Sequence, residues 1–292
     1  MITLGQIIAG LGLFFIGVDA LSTAQREAAT PWFQKRFQQV SANQLISSLF
    51  GFLLGALTQS SSAVTFIIMN LVTAGYSTLS KVLPMIIWAN VGTSVLVFIA
   101  AIHIEYALFF MLGAVGVCYY FKLNKMASVR VALDVAFGIC MLLLGIFFIK
   151  AGASELKHVA WLSDFLLFSS QSIFLTFFIG IIVCLMLQSS ATVTVIVATL
   201  ASVELLNWYQ AFLLIVGASF GSGLNVWLLS ANLRGLPLRI TIVQLLSKLI
   251  GALIVMLLFT LEYYGNISLI KEPLSSLTDN IAMQFAYAYL AL

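Results

Sequence analysis

Long apolar runs divided by short polar connectors dominate the chain, and their lengths predict membrane-crossing helices at residues 4–22, 82–101, 106–121, 129–151, 209–231 and 240–262. Two further apolar stretches, about 44–75 and 172–202, are long enough to cross but carry polar centres. In the first, Gln59-Ser60-Ser61-Ser62 stands mid-run with Gly51, Gly55 and Gly75 around it; in the second stands Gln188-Ser189-Ser190, followed by Ala191. Hydrocarbon cannot satisfy amides and hydroxyls as water does. Each stretch is therefore expected to be two half-length helices forming a re-entrant hairpin with no net crossing. The crossing at 82–101 is expected to be broken at Asn90-Val91-Gly92-Thr93-Ser94. Residues 23–43 read as a polar, basic connector.

The rest of the composition agrees. Of 292 residues, 62% are hydrophobic and 8% charged, which leaves too little polar surface for a soluble core and predicts an all-α polytopic membrane protein. Thirteen Lys and Arg against ten acids report orientation in such a protein and imply no nucleic-acid partner. Cys118, Cys140 and Cys184 lie in apolar segments without metal-like spacing and read as packing residues. The first apolar run lacks a basic leader and is expected to be a retained helix, with no soluble domain anywhere in the chain.

The pattern repeats. A shift of 129 residues places Gly51 on Gly180, Gln59 on Gln188, Ser60 and Ser61 on Ser189 and Ser190, Thr65 on Thr194 and Gly92 on Gly221; a shift of 128 places Gly10 and Gly17 on Gly138 and Gly145. The chain divides into a first repeat at 1–125, a second at 126–264 and a tail at 265–292. Each repeat has three crossings, an odd number, so the two are expected to be inverted in the membrane. With the N-terminus outside, the inner loops collect Arg26, Lys35, Arg36, Lys81, Lys122, Lys125, Arg130, Arg234 and Arg239 against Glu27 alone, the positive-inside asymmetry.

A helix that starts at mid-membrane offers unpaired N–H groups and the positive end of its dipole, a cradle for an oxyanion that needs no lysine or arginine. Gln59, Ser60, Ser61, Ser62, Gln188, Ser189 and Ser190 are the candidate substrate-binding residues. Hydroxyl, amide and freed carbonyl oxygens in the same region suit Na+. The candidate sodium ligands are Gln59, Ser62, Thr65, Asn90, Thr93, Ser94, Gln188, Thr192, Thr194, Ser219, Ser222 and Asn225. A lone Gln-Ser-Ser in a membrane helix would more often pack helices or bond back to a carbonyl. Recurrence in both halves, each time 31 residues before a small, glycine-containing polar stretch, moves the weight to a site. Asp19, Asp134 and Lys248 are ionisable residues within predicted spans and candidates for ion coupling, Lys248 also for acting on an anion electrostatically. His103 and His158 fall in connectors. No histidine or carboxylate neighbours the serines in sequence, which disfavours nucleophilic catalysis, and no enzymatic function is expected.

At these residues the chain resembles the type II sodium-dependent phosphate cotransporter family, whose hallmark is an inverted repeat with Gln-Ser-Ser-Ser in each half. The likeness extends through Leu83-Pro84-Met85-Ile86-Ile87 into Asn90-Val91-Gly92-Thr93-Ser94, and includes Phe15 to Ala24. The resemblance implies a sodium-coupled symporter that imports inorganic phosphate by alternating access, with phosphate and Na+ held at the two Gln-Ser-Ser tips near the midplane. It implies no cofactor beyond Na+ as coupling ion, a place in a bacterial inner (plasma) membrane, the lipid bilayer as surroundings and a homodimer as candidate assembly. The departures lie in the second half: Ala191 replaces a serine, and Gly217-Ala218-Ser219-Phe220-Gly221-Ser222-Gly223 stands where the family has Gly-Ser/Ala-Asn-Ile-Gly-Thr-Thr. Residues 265–292 are expected to be too short for the cytoplasmic helical domain of many bacterial members. Symport of another small oxyanion, such as sulfate or a carboxylate, and a non-transporting membrane scaffold are the alternatives.

Overall fold

The computed structural model describes residues 2–40, 43–73, 75–102, 105–156, 172–230, 234–265 and 268–292. Among them lie twelve α-helices and no strand: α1 (Ile2–Val40), α2 (Gln44–Thr58), α3 (Ser61–Thr73), α4 (Leu79–Ala101), α5 (Glu105–Tyr120), α6 (Ala127–Leu156), α7 (Ile173–Leu187), α8 (Ser190–Ser202), α9 (Trp208–Leu229), α10 (Leu236–Gly265), α11 (Lys271–Leu277) and α12 (Ile281–Ala291). Thr3–Leu21, Leu79–Ala101, Val129–Glu155, Trp208–Leu229 and Pro237–Gly265 are long and apolar enough to cross a bilayer.

Three expectations change. The expected crossing at 106–121 is the sixteen-residue α5, shorter than the hydrocarbon thickness requires if it stands upright. Residues 23–40, most of the polar, basic connector, are helical backbone continuous with the first span. The crossing expected to break at Asn90 to Ser94 is one unbroken helix. Its polar side chains find partners without freeing the backbone: Asn90 Nδ2 donates to the Ile86 carbonyl (3.1 Å), Thr93 Oγ1 to Asn90 (2.7 Å) and Ser94 Oγ to Val91 (2.7 Å).

The two apolar stretches with polar centres do break. At fifteen and thirteen residues, α2 and α3 are each about 20 Å long, well under a bilayer core. The α7–α8 pair has the same two lengths and the same local construction. Asn43 caps α2 by accepting from Leu45 N–H, and its counterpart Ser172 caps α7 by accepting from Leu175 N–H. At the far ends, Gly75 and its counterpart Glu204 both take positive φ, +83° and +56°.

Close helix approach is bought with glycine, and the positions recur. On α1, a Cβ at Gly10 would sit 2.8 Å from the Gly145 carbonyl oxygen, and one at Gly17 would lie 2.7 Å from that of Gly138. These two contacts run in opposite directions along α1 and α6, so the helices pack antiparallel. The 128-residue shift exchanges one contact with the other. The broken pairs lean on α4 and α9 in matching fashion: a Cβ on Gly51 would collide with the Met85 backbone, and one on Gly180 with that of Leu214.

The tail also has a place. Glu262, buried near the end of α10, accepts from the N–H groups of Leu269, Ile270 and Lys271 and turns the chain back. Asn280 Nδ2 donates to the Ala101 carbonyl, Trp208 Nε1 to Gln284 Oε1, and Phe285 is fully buried beside Trp208. These contacts carry α12 into the centre of the molecule, against α8 and α4.

Candidate functional site

Each broken pair turns on its glutamine. Gln59 (φ 50°) and Gln188 (φ 55°) are both left-handed, a conformation uncommon outside glycine, and each closes its helix by donating its N–H to a carbonyl four residues back, Gly55 or Cys184. The next residue caps the following helix: Ser60 Oγ accepts from Ala63 N–H and Ser189 Oγ from Thr192 N–H, each at 3.2 Å. One side-chain cap leaves the earliest amides of α3 and α8, at Ser61 and Ser62 and at Ser190 and Ala191, without an acceptor inside their own helices. Both positive helix ends therefore face what lies between them.

Between them is a narrow cavity of about 10 Å³, room for about one water molecule. Its walls are Gln59 to Ser62 from one tip, Gln188 to Ala191 from the other, and Thr93, Ser222 and Tyr289. Among the described residues, no lysine, arginine, aspartate or glutamate lines it. Polarity comes from hydroxyls, carboxamides and peptide N–H groups, a set able to donate to an oxyanion and coordinate a hard cation. The tips differ in exposure. Gln59 is buried at 5% exposure, whereas Gln188 is exposed and stands at the mouth.

Gln59 carries the most informative atom. Its Nε2 donates to the Ala56 carbonyl, which fixes the orientation of the amide. Its Oε1 is then a buried acceptor without a donor, the sole such side-chain atom among the described residues. A buried carboxamide oxygen without a donor is chemically able to accept a hydrogen bond or to coordinate a hard cation.

Of the residues marked in the sequence, the structure gathers Gln59, Ser60, Ser61, Ser62, Thr93, Gln188, Ser189, Ser190 and Ser222 at one cavity. Thr65, Asn90, Ser94, Thr192, Thr194, Ser219 and Asn225 do not line it. Thr65 and Thr194 bond back to Ser61 and Ser190 at 2.8 Å, and Thr65 Oγ1 also lies 2.9 Å from Gln244 Oε1. Asp19 is exposed on α1. Asp134 accepts from Tyr119 Oη at 2.8 Å and pairs with Arg130, away from the cavity wall. Lys248 lies behind the wall with its Nζ on Ser219 Oγ (3.2 Å). His103 and His158 fall outside the described residues.

Tyr289 is the residue the sequence does not announce. Its hydroxyl lies 2.8 Å from Ser190 Oγ and 3.2 Å from Thr93 Oγ1, so a group from α12 joins the second tip to α4 of the first half. Position 289 lies beyond the residues matched by the 128- and 129-residue shifts, so no matched partner marks it.

Known proteins with similar sequences point the same way. Residues 13–151 and 155–271 match the model of the Na+/Pi-cotransporter family. A protein of Escherichia coli strain K12, YjbB, named for inorganic phosphate export, is 24% identical over 280 residues, covering 94% of this chain and 50% of the relative. Its namesake in Salmonella typhimurium is 24% identical over 260 residues, 88% of this chain and 47% of the relative. The sodium-dependent phosphate transport protein 2A of Oryctolagus cuniculus is 33% identical over 97 residues, 32% of this chain and 15% of the relative. The chain thus spans about half the length of the YjbB proteins it matches. No solved structure matches the chain significantly.

Proposed function

Because the chain belongs to the Na+/Pi-cotransporter family, we propose that it carries inorganic phosphate across a bacterial inner membrane coupled to sodium, both held where the two Gln-Ser-Ser tips meet. The observation that carries this reading is the cavity itself: two helix N-termini converge on it, and Gln59, one of its lining residues, carries a buried side-chain oxygen without a donor. Phosphate sits against the first-turn amides and the hydroxyls of Ser61, Ser62 and Ser190. Sodium sits against Gln59 Oε1, with Thr93 and the carbonyls at the end of α2 within the same neighbourhood. A bound cation beside the anion lowers the cost of placing either in a low-dielectric site, which is the physical basis of their coupling.

Transport in this reading is alternating access across two inverted repeats, each contributing one re-entrant hairpin and the N-terminus lying outside. The antiparallel contact of α1 with α6 supports it, because its glycines exchange under the same shift that relates the repeats. A sodium gradient directed inward makes such a symporter an importer. Export is the second reading, favoured by the name of the E. coli relative.

The test is uptake of labelled phosphate into proteoliposomes under an imposed sodium gradient, with sulfate and carboxylates as competitors. Sodium-driven accumulation lost in Gln59→Ala and Gln188→Ala, with both variants folded, is the expected result. Uptake indifferent to sodium sinks the coupling. Accumulation only when sodium is directed outward from the vesicle favours export.

A further inference from the structure

Lys248 is a cation inside a membrane-crossing helix, 8% exposed, and among the described residues no aspartate or glutamate side chain lies against it. Burying an ammonium in this way is expensive, which marks an intramembrane lysine as a candidate for a functional role. Its contacts are Ser219 Oγ at 3.2 Å and the main-chain oxygen of Leu292 at 3.5 Å. It does not line the cavity between the tips, so it is not placed to hold the anion directly.

What it touches gives its purpose. Ser219 is the counterpart, 129 residues on, of Asn90; Ser222 corresponds to Thr93 and Gly223 to Ser94. The first half therefore keeps a carboxamide and two hydroxyls, all turned to oxygen partners and none bonded to a lysine. The second half has exchanged the carboxamide for a hydroxyl and lost one hydroxyl altogether. The lost side chain makes the room: a Cβ at Gly223 would lie 3.1 Å from Lys248 Cβ and 3.3 Å from Cγ. Loss of oxygen ligands, loss of bulk and gain of an ammonium all meet at one place.

We infer that the Lys248 ammonium is a built-in cation that takes the place of a coupling sodium ion in the second half. Ser219 then binds an ammonium at the position where the first half carries Asn90, which stands behind the cavity-lining Thr93 and accepts from its hydroxyl. The protein accordingly uses fewer sodium ions per anion than two matched halves would. This rests on the sodium-coupled reading above.

The test reads the sodium dependence of phosphate uptake in proteoliposomes containing the whole chain. Asn90→Ala is expected to raise the half-saturating sodium concentration about tenfold, and Ser219→Ala to move it by less than about twofold. The triple variant Ser219→Asn, Gly223→Ser, Lys248→Ala rebuilds the first half's ligand set in the second. It is expected to move more sodium per phosphate than the wild type, counted from the reversal potential. A rise with Ser219→Ala equal to that with Asn90→Ala overturns the inference without any change at Lys248. So does an unchanged count in the triple variant. Sodium-independent uptake by the wild type overturns the proposed function and this inference together, whereas sodium-coupled uptake with either preceding result overturns this inference alone.

Discussion

Replacing Gln59 with methionine tests the site through stability as well as transport. Methionine keeps the length and flexibility of the side chain and the same left-handed backbone requirement, but removes both carboxamide atoms. The loss of the Nε2 bond to the Ala56 carbonyl costs about 1 kcal/mol, a typical net hydrogen bond. Removing the orphaned Oε1 recovers about 1–3 kcal/mol, the penalty of a buried acceptor without a donor. The variant should therefore be about 1 kcal/mol more stable than the wild type without sodium, a rise of about 2–4 °C in Tm. Sodium at ten times its Kd should stabilise the wild type by about 1.4 kcal/mol and leave the variant unmoved. Thermal melts of the purified protein in detergent, with choline replacing sodium in the blank, read both effects, and phosphate uptake should be lost in the same variant. A Gln59→Met protein that melts several degrees lower without sodium, or keeps the sodium shift, refutes the reasoning.

The remaining predictions concern packing and the cavity wall. Gly51→Ala should lower Tm by several degrees, because its Cβ would meet the Met85 backbone and overpacking costs about 1–3 kcal/mol. Gly12→Ala, whose Cβ meets nothing within 4 Å, should leave stability unchanged or raise it by up to about 1 kcal/mol of helix propensity, read from Tm. Tyr289→Phe removes the hydroxyl shared by Ser190 and Thr93, and should cost about 1 kcal/mol in stability; if that hydroxyl donates to the anion, the phosphate concentration for half-maximal uptake rises about tenfold. Ala191→Ser adds a hydroxyl to the cavity wall at the second tip and should tighten phosphate binding in a competition assay without lowering Tm.

The broken pairs were legible because a glutamine and serines in an apolar run violate the solvent rule of the bilayer, and a second copy of the violation turns an oddity into a design. Asn90 to Ser94 violates the same rule, and yet α4 does not break there. The difference lies in the backbone: the polar side chains of Asn90 to Ser94 bond to carbonyls three or four positions back along a continuous helix, whereas at Gln59 and Gln188 the backbone itself turns left-handed. Local sequence contains no signal that separates the two outcomes. Lys248 stood out as an intramembrane charge, but its relation to Gly223 and Ser219 joins two helices, α9 and α10, and exists only once they pack.

By itself, then, the sequence determined what each segment must do with water and lipid: the apolar runs, the two polar centres and their 129-residue spacing follow from composition and periodicity alone. Only the tertiary structure decided what meets at the centre. It brought the two tips to one cavity, left Gln59 Oε1 without a donor and delivered Tyr289 from beyond the residues matched by the shifts. The physical reason is that solvation acts on each residue where it stands in the chain. Coordination needs several groups at one point in space, and here they come from segments as far apart as residues 59 and 289.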